Sequence, residues 1–337
     1  MGMSKRDTIR RIAEVAGVSP STVHRALTNC GNVDPRTKAR VLAAAGTLSD
    51  ELSVPDTLPL GVLMRARPRY FWGPAFTAIQ RTAEALDLPM ATAICGDYEN
   101  DTDFVYCLDT LQKRHAGVFI IVPGSSPACD ESFRRLSELA TQSPVIFLCE
   151  SHEVPGRYYV GSDPEADGRD FAAAVQPLMP RGARVLVIGC GPCPIADTRC
   201  DTFLRTAAIN DPTLRVVGRI DMDSFCSTAA APALLARRID ERYHGAFDTV
   251  FVSQGVLPQV ASALYKLRLH GKVRCFGCEN PPANKPFIDN GTIHAVLEQD
   301  IVGQAVRAVE VAGALRRGEA IPHEHYVPSR IQLFGQL

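Results

Sequence analysis

The stretch Gly17-Val18-Ser19-Pro20-Ser21-Thr22-Val23-His24-Arg25-Ala26-Leu27 decides how this chain reads. Ser19 can accept a hydrogen bond from the first turn of a helix, and Pro20 suits the position where a missing N–H costs nothing. Val18, Val23, Ala26 and Leu27 make one side apolar, while the other side stays polar. A helix of this kind packs on a neighbour through one face and leaves the other free for the major groove of DNA.

Working outward, the preceding segment predicts a helix capped by Thr8, with Ile9, Ile12, Ala13 and Ala16 as its buried stripe. Gly17 then stands where a left-handed residue is easiest to place. Downstream, Asp34 caps a third helix with Pro35 at its first position, and Val41, Leu42 and Ala45 face inward. Charge agrees with this plan. Residues 1–48 carry eight basic and three acidic side chains, so the head is +5 while the whole chain is −1. A basic head on an acidic body points to a phosphate-bearing partner at one end.

The run from Thr8 to Asn29 resembles the headpiece of the LacI/GalR family of bacterial transcription regulators, and the length of the chain is similar to that family's. The resemblance implies that Pro20, Ser21 and Arg25 read base edges, with Arg25 the candidate for a bidentate guanine contact. It assigns Thr8, Ser19, Thr22, His24 and Asn29 to phosphates, contacts that position without specifying. It further implies a homodimer on a double-stranded operator with two-fold symmetry.

At 337 residues, 46% hydrophobic and 22% charged, the chain is long enough for a small head and about two ordinary domains. No apolar run reaches the length of a membrane span and the start is polar, so a cytoplasmic protein with no membrane partner is expected. Residues 1–48 form the helix-turn-helix domain, and residues 49–59, with two prolines and three acids, form a linker. In the family a short hinge helix here wedges a leucine into the minor groove. This linker is shorter and acidic, and Leu52 is its candidate wedge.

Residues 60–337 form an effector-binding and dimerisation domain. Strand-length apolar runs at 60–64, 118–122, 145–149, 185–189, 216–220, 249–252, 273–276 and 295–297 alternate with amphipathic stretches such as 76–86, 104–114, 132–140 and 259–269. That rhythm predicts an α/β fold of two doubly wound parallel-sheet lobes. The resemblance implies a periplasmic-binding-protein-like body, with lobe 1 at 60–161 and 299–325 and lobe 2 at 162–298 and 326–337. Such sheets take ligands beyond the carboxyl ends of their strands.

Candidate effector residues follow strand ends. Tyr70, Phe71 and Trp72 come after the first strand, and aromatic faces there can stack on the C–H surface of a sugar. The resemblance adds Arg199, Glu279, Gln299 and, where the family commonly has Asn-Asp, Ser253. An arginine fork and a carboxylate suit hydroxyls. The set favours a sugar, polyol or cyclitol effector, with a small acid held by Arg199 still open. Asp163 is expected to be structural.

Eleven cysteines in such a chain read as reduced thiols. Two Cys-x-x-Cys motifs, 190–193 and 275–278, superficially suggest zinc or redox chemistry. Their strands should be separated by one other, and Cys275 and Cys278 should point to opposite faces of theirs. Free thiols are the preferred reading and thiol sensing through Cys190/Cys193 the alternative. Gly189-Cys190-Gly191 is only a partial dinucleotide fingerprint, because Pro194 replaces its third glycine. No paired nucleophile and base, His-Glu-x-x-His motif, metal set or cofactor motif emerges. The sequence therefore reads as a ligand-responsive DNA-binding repressor of a carbohydrate or polyol operon, with an α/β enzyme carrying a DNA-binding head as the alternative from another class.

Overall fold

The computed structural model describes residues 5–27, 33–49, 58–96, 101–123, 130–224 and 226–334. Asn29 and Leu52, named above, lie outside the described residues.

The head contains α1 (Lys5–Ala16), α2 (Pro20–Leu27) and α3 (Pro35–Ser49). Ile12, Ala13, Ala16, Val23, Ala26, Leu27, Val41, Ala44 and Ala45 are buried together, with Ile9, Val18 and Leu42 packed against them. Gly17 ends α1 with φ +62°, a conformation that costs a residue without a side chain nothing extra. The Ser19 Oγ accepts from Thr22 N at 3.1 Å, and Asp34 Oδ1 accepts from Thr37 N at 3.0 Å. Hydrogen bonds from the Thr37 side chain and backbone hold the Asp34 carboxyl below its ordinary range. One expectation is corrected. The first helix begins at Lys5, so Thr8 lies inside it rather than capping it. Lys5, Arg6 and Asp7 contain no helix breaker, and the helix runs back through them.

The chain divides into two compact units, and the head falls in the first. The first holds residues 1–161 and 301–327, and the second holds 162–300 and 328–337.

The first unit's sheet is built from β1 (Leu60–Arg65), β2 (Met90–Cys95), β3 (Val118–Ile121), β4 (Val145–Leu148), β5 (Tyr158–Gly161) and, after the chain returns, β11 (Glu324–Tyr326). Its order is β11-β5-β4-β3-β1-β2, and every neighbouring pair is parallel. Around it lie α4 (Arg69–Ala85), α5 (Asp101–Lys113), α6 (Asp130–Ala140) and α12 (Ile301–Arg316). Leu60, Val62 and Met64 of β1 share one core with Ile79 of α4 and Ala305 and Val309 of α12.

The second unit holds α7 (Pro164–Val175), β6 (Arg184–Gly189), α8 (Pro194–Asn210), β7 (Arg215–Asp221), α9 (Ala231–Tyr243), β8 (Thr249–Val252), α10 (Leu257–Lys266), β9 (Arg274–Cys278), α11 (Lys285–Asp289), β10 (Ala295–Glu298) and β12 (Arg330–Leu333). The sheet order is β12-β10-β9-β8-β6-β7, with β12 alone antiparallel to its neighbour. Alternating strand residues feed two cores. Leu186, Ile188, Val250, Val252 and Cys275 are on one face, and Val185, Val187, Phe251, Phe276 and Cys278 are on the other. One strand, β8, separates β6 from β9. Cys275 and Cys278 therefore serve different cores, and burial pushes the Cys278 thiol up to about 11. They pack as apolar side chains.

Four strands lie outside the apolar runs read from the sequence: β2, β5, β11 and β12. Three of them, β2, β11 and β12, are sheet edges. An edge strand buries less and so carries a weaker apolar signal.

Candidate functional site

In the head, α2 presents Pro20, Ser21, His24 and Arg25 as exposed residues, with Thr22 half-buried. Ser19 Oγ lies 2.8 Å from Ser21 Oγ and 2.9 Å from Thr22 Oγ1, so the cap is itself a small hydroxyl cluster. The Arg25 guanidinium lies back along the helix. Its Nε donates to Ser21 O and its Nη2 to Thr22 Oγ1, both at 3.4 Å. Bonds this long are marginal, and the fork can exchange them for a stronger acceptor.

In the second unit, strand and helix ends bring Arg199, Glu279 and Gln299 into one chain of contacts. Arg199, from α8, is 3% exposed; its Nη2 donates to Ser162 Oγ at 3.2 Å, and its Nε lies 3.3 Å from Asp167 Oδ2. Ser162 Oγ in turn donates to Gln299 Oε1 at 3.3 Å, and Gln299 Nε2 donates to Glu279 Oε1 at 2.7 Å. Ser329 Oγ donates to Asp167 Oδ2 at 3.0 Å. Ser162, Asp167 and Ser329 were not among the residues expected here, and no motif marks them. They are ordinary polar residues that become partners only when α7, α8 and β12 pack together.

Burial raises the Glu279 carboxyl to about 7, against the pull of the Gln299 hydrogen bond and the Arg199 charge. Its backbone is left-handed, with φ +70°. Such a conformation costs a non-glycine residue of order 1–3 kcal/mol and persists only where its surroundings impose it. Here Glu279 N donates to Leu297 O at 2.8 Å, and the buried Asn284 Nδ2 donates to Glu279 O at 3.1 Å. Asp163 is structural, as expected. It caps α7 by accepting from Glu165 N and Ala166 N.

Ser253 is placed elsewhere in the same unit. It lines a cavity of about 310 Å³ at the carboxyl ends of β6, β7 and β8, with Gly189, Cys190, Asp197, Arg219 and Asp221. Carboxylates there accept hydroxyl hydrogens and the arginine donates, a mix suited to a polyhydroxylated molecule. Asp197, Arg219 and Asp221 escaped the sequence reading. Only the place of Arg219 and Asp221 at the carboxyl end of β7, and of Asp197 in the first turn of α8, could have marked them.

In the first unit Tyr70, Phe71 and Trp72 follow β1 and form the first turn of α4; of the three, Trp72 is corrected. Helical spacing aligns Trp72 with Ala75 and Ile79 on the buried face, and it is 4% exposed inside the apolar core. Its indole is occupied by packing and by Arg65, whose guanidinium lies 6.0 Å from the ring centroid. Tyr70 remains 39% exposed. The described cysteines are free thiols, as the preferred reading had them. It is the alternative, a pairing of Cys190 with Cys193, that is corrected: the sulfur facing Cys190 belongs to Cys226, at 2.7 Å, while Cys193 stands at the start of α8. Among the described residues, no helix is long and apolar enough to cross a membrane.

Comparison with known proteins agrees with these parts. The model of the lacI family of bacterial regulatory proteins matches residues 8–49, and that of the periplasmic binding protein domain matches residues 60–320. No curated protein sequence matches the chain. Among solved structures, a solute binding protein of an ABC transporter from Burkholderia graminis, in complex with D-arabinose, is 18% identical with a TM-score of 0.71. That match covers 84% of this chain and 97% of that one. A glucose-galactose binding protein from Geobacillus stearothermophilus is 17% identical with a TM-score of 0.70, covering 82% and 97%. A periplasmic solute binding protein from Actinobacillus succinogenes with bound D-allose is 18% identical with a TM-score of 0.67, covering 82% and 97%. At these identities the likeness is one of fold.

Proposed function

Since the chain belongs to the lacI family of bacterial regulatory proteins, with a periplasmic binding protein domain behind its head, we propose that it is a sugar- or polyol-responsive repressor acting on operator DNA as a homodimer. The observation that carries this reading is the exposed polar face of α2, held on a three-helix core by the Ser19 cap. Arg25 is assigned to a guanine edge, and Pro20 and Ser21 to neighbouring bases. Ser19, Thr22 and His24 go to phosphates, with Thr8 and Asn29 retained from the sequence reading. A second head is needed because one recognition helix offers few base contacts.

The effector reading rests on the Arg199–Ser162–Gln299–Glu279 chain and on the cavity that Asp197, Asp221 and Ser253 line. The fold neighbours named above bind D-arabinose, glucose or galactose, and D-allose, and a related polyhydroxylated ligand is proposed for this chain. Ligand binding would change operator affinity through a coupling free energy of typically 1–3 kcal/mol.

The decisive experiment is footprinting of the promoter upstream of the chain's own gene with the full chain and with Arg25→Ala. The variant is expected to lose sequence preference and keep weak, salt-sensitive binding. Retained preference would refute the assignment. For the effector, a thermal-shift panel of aldoses, polyols, cyclitols and small carboxylic acids should single out a polyhydroxylated compound. Binding at a hundredfold excess over Kd stabilises by about 2.7 kcal/mol. A shift from carboxylic acids alone would replace the sugar reading with an acid held by Arg199.

A further inference from the structure

Nine cysteines fall among the described residues, and six of them are buried: Cys95, Cys107, Cys149, Cys200, Cys275 and Cys278. The three that reach solvent, Cys190, Cys193 and Cys226, belong to one end of the second unit. Cys190 follows β6 and lines the cavity; Cys226 lies in the segment after β7. Their sulfurs are 2.7 Å apart although 36 residues separate them in the chain. A disulfide bond measures about 2.05 Å, so closing the pair needs a movement of well under 1 Å.

This closeness is organised rather than incidental. Asp221 Oδ1 accepts from Gly191 N on one segment and from Asp223 N on the other, both at 2.9 Å. Gln254 grips the first segment at both ends of its amide. Its Oε1 accepts from Cys190 N at 2.8 Å, and its Nε2 donates to Gly191 O at 3.0 Å. Cys226 N donates to Met222 O at 2.7 Å, and Met222 N donates to Gly189 O at 2.9 Å. Gln259 Nε2 donates to Cys226 O at 3.4 Å. The two segments are thus laced by backbone and side-chain bonds that hold the sulfurs face to face.

We propose that Cys190 and Cys226 form a reversible disulfide, a modification site that clamps the segments following β6 and β7 across the cavity they border. With a peroxide as oxidant, both S–H bonds and the O–O bond break, the S–S bond forms, and two waters leave. Each sulfur gives up one electron and one proton. A dithiol reductant reverses the step by thiol–disulfide exchange. Burial and the facing sulfur push the Cys190 thiol up. The pair therefore answers sustained oxidant rather than a brief pulse, since thiolate is the reacting form. The bond stands whether or not the cavity holds the effector, and its test uses no ligand.

The test is peptide mapping of the full chain after millimolar hydrogen peroxide, without reduction. Trypsin cuts after Arg184, Arg199, Arg219 and Arg237, so Cys190 and Cys193 share one peptide while Cys226 lies in another. The expected product is the two peptides joined, with two thiols lost per chain and recovered by dithiothreitol. Cys193→Ser should keep the link, and Cys226→Ser should abolish it while the reduced variant melts like the reduced parent. Hydrogen exchange of residues 189–193 and 221–224 should slow severalfold on oxidation in the parent alone. A single peptide two mass units lighter, meaning a Cys190–Cys193 bond, overturns the proposal. So does an unchanged thiol count, and unaltered exchange in the linked protein overturns the clamp.

Discussion

Glu279 and His294 titrate in opposite senses within the same unit. The buried Glu279 is raised from 4.5 to about 7, so between these values the folded chain holds a proton the unfolded chain has lost. Its contribution to stability therefore falls as pH rises through that window. His294 is lowered from 6.5 to about 4, chiefly by burial, and its Nδ1 accepts from Cys275 N at 3.2 Å. Its contribution is present above 6.5 and is lost as pH falls towards 4. Between pH 4.5 and 6.5 the two slopes cancel, and the parent should show little dependence from this pair. Glu279→Gln should expose the histidine slope, with stability rising with pH by up to about 1.4 kcal/mol per unit. His294→Asn, which keeps an acceptor for Cys275 N, should expose the opposite slope. Urea unfolding of each variant at half-unit pH steps checks both signs; parallel curves for the two variants would contradict the assignment. Residues of this kind were only half legible. Glu279 was found because it follows a strand, but neither its left-handed backbone nor its raised carboxyl can be read from the sequence.

At the scale of elements, helix packing governs the site. α7 and α8 approach so closely at Gly168 that an added Cβ would meet the backbone O of Arg199, and Phe203 N at 2.9 Å. Both obstacles are main chain and cannot turn aside. Gly168→Ala should cost about 1–3 kcal/mol by overpacking. It should also spoil the ion pair between Asp167 and Arg199, because those residues flank the contact. The check is a lower melting temperature together with a weakened response to whichever sugar or polyol the panel identifies; full stability would show that the helices can part freely. Capping signals were the most legible feature at this scale, since a cap is a local interaction over three residues. Ser19 and Asp34 act where their sequences place them. Thr8 does not, because compatible residues precede it and the helix extends. The aromatic turn of α4 misled for a related reason. Periodicity was read from Phe76 onward, whereas the helix starts at Arg69 and turns Trp72 into the core.

At the scale of the whole molecule, residues 1–48 are basic and the remainder is acidic, and the proposed homodimer would bring two such heads to one operator. Sedimentation of the purified chain should give twice its 36.6 kDa mass. A monomer at concentrations that still footprint the operator would rule out the dimeric reading. Affinity should fall steeply with added salt, as phosphate contacts require. The sequence by itself determined the head and the alternation of strands and helices, which rest on periodicity, capping and short-range order along the chain, while Arg199, Glu279 and Gln299 were singled out through the family resemblance. Only the tertiary structure decided that Ser162, Asp167 and Ser329 complete the buried polar chain, that Trp72 belongs to the core, and that Cys190 faces Cys226 rather than Cys193. These are meetings of residues far apart in sequence. They are set by which helix faces and strand ends pack together, and a residue's own neighbours in the chain carry no record of them.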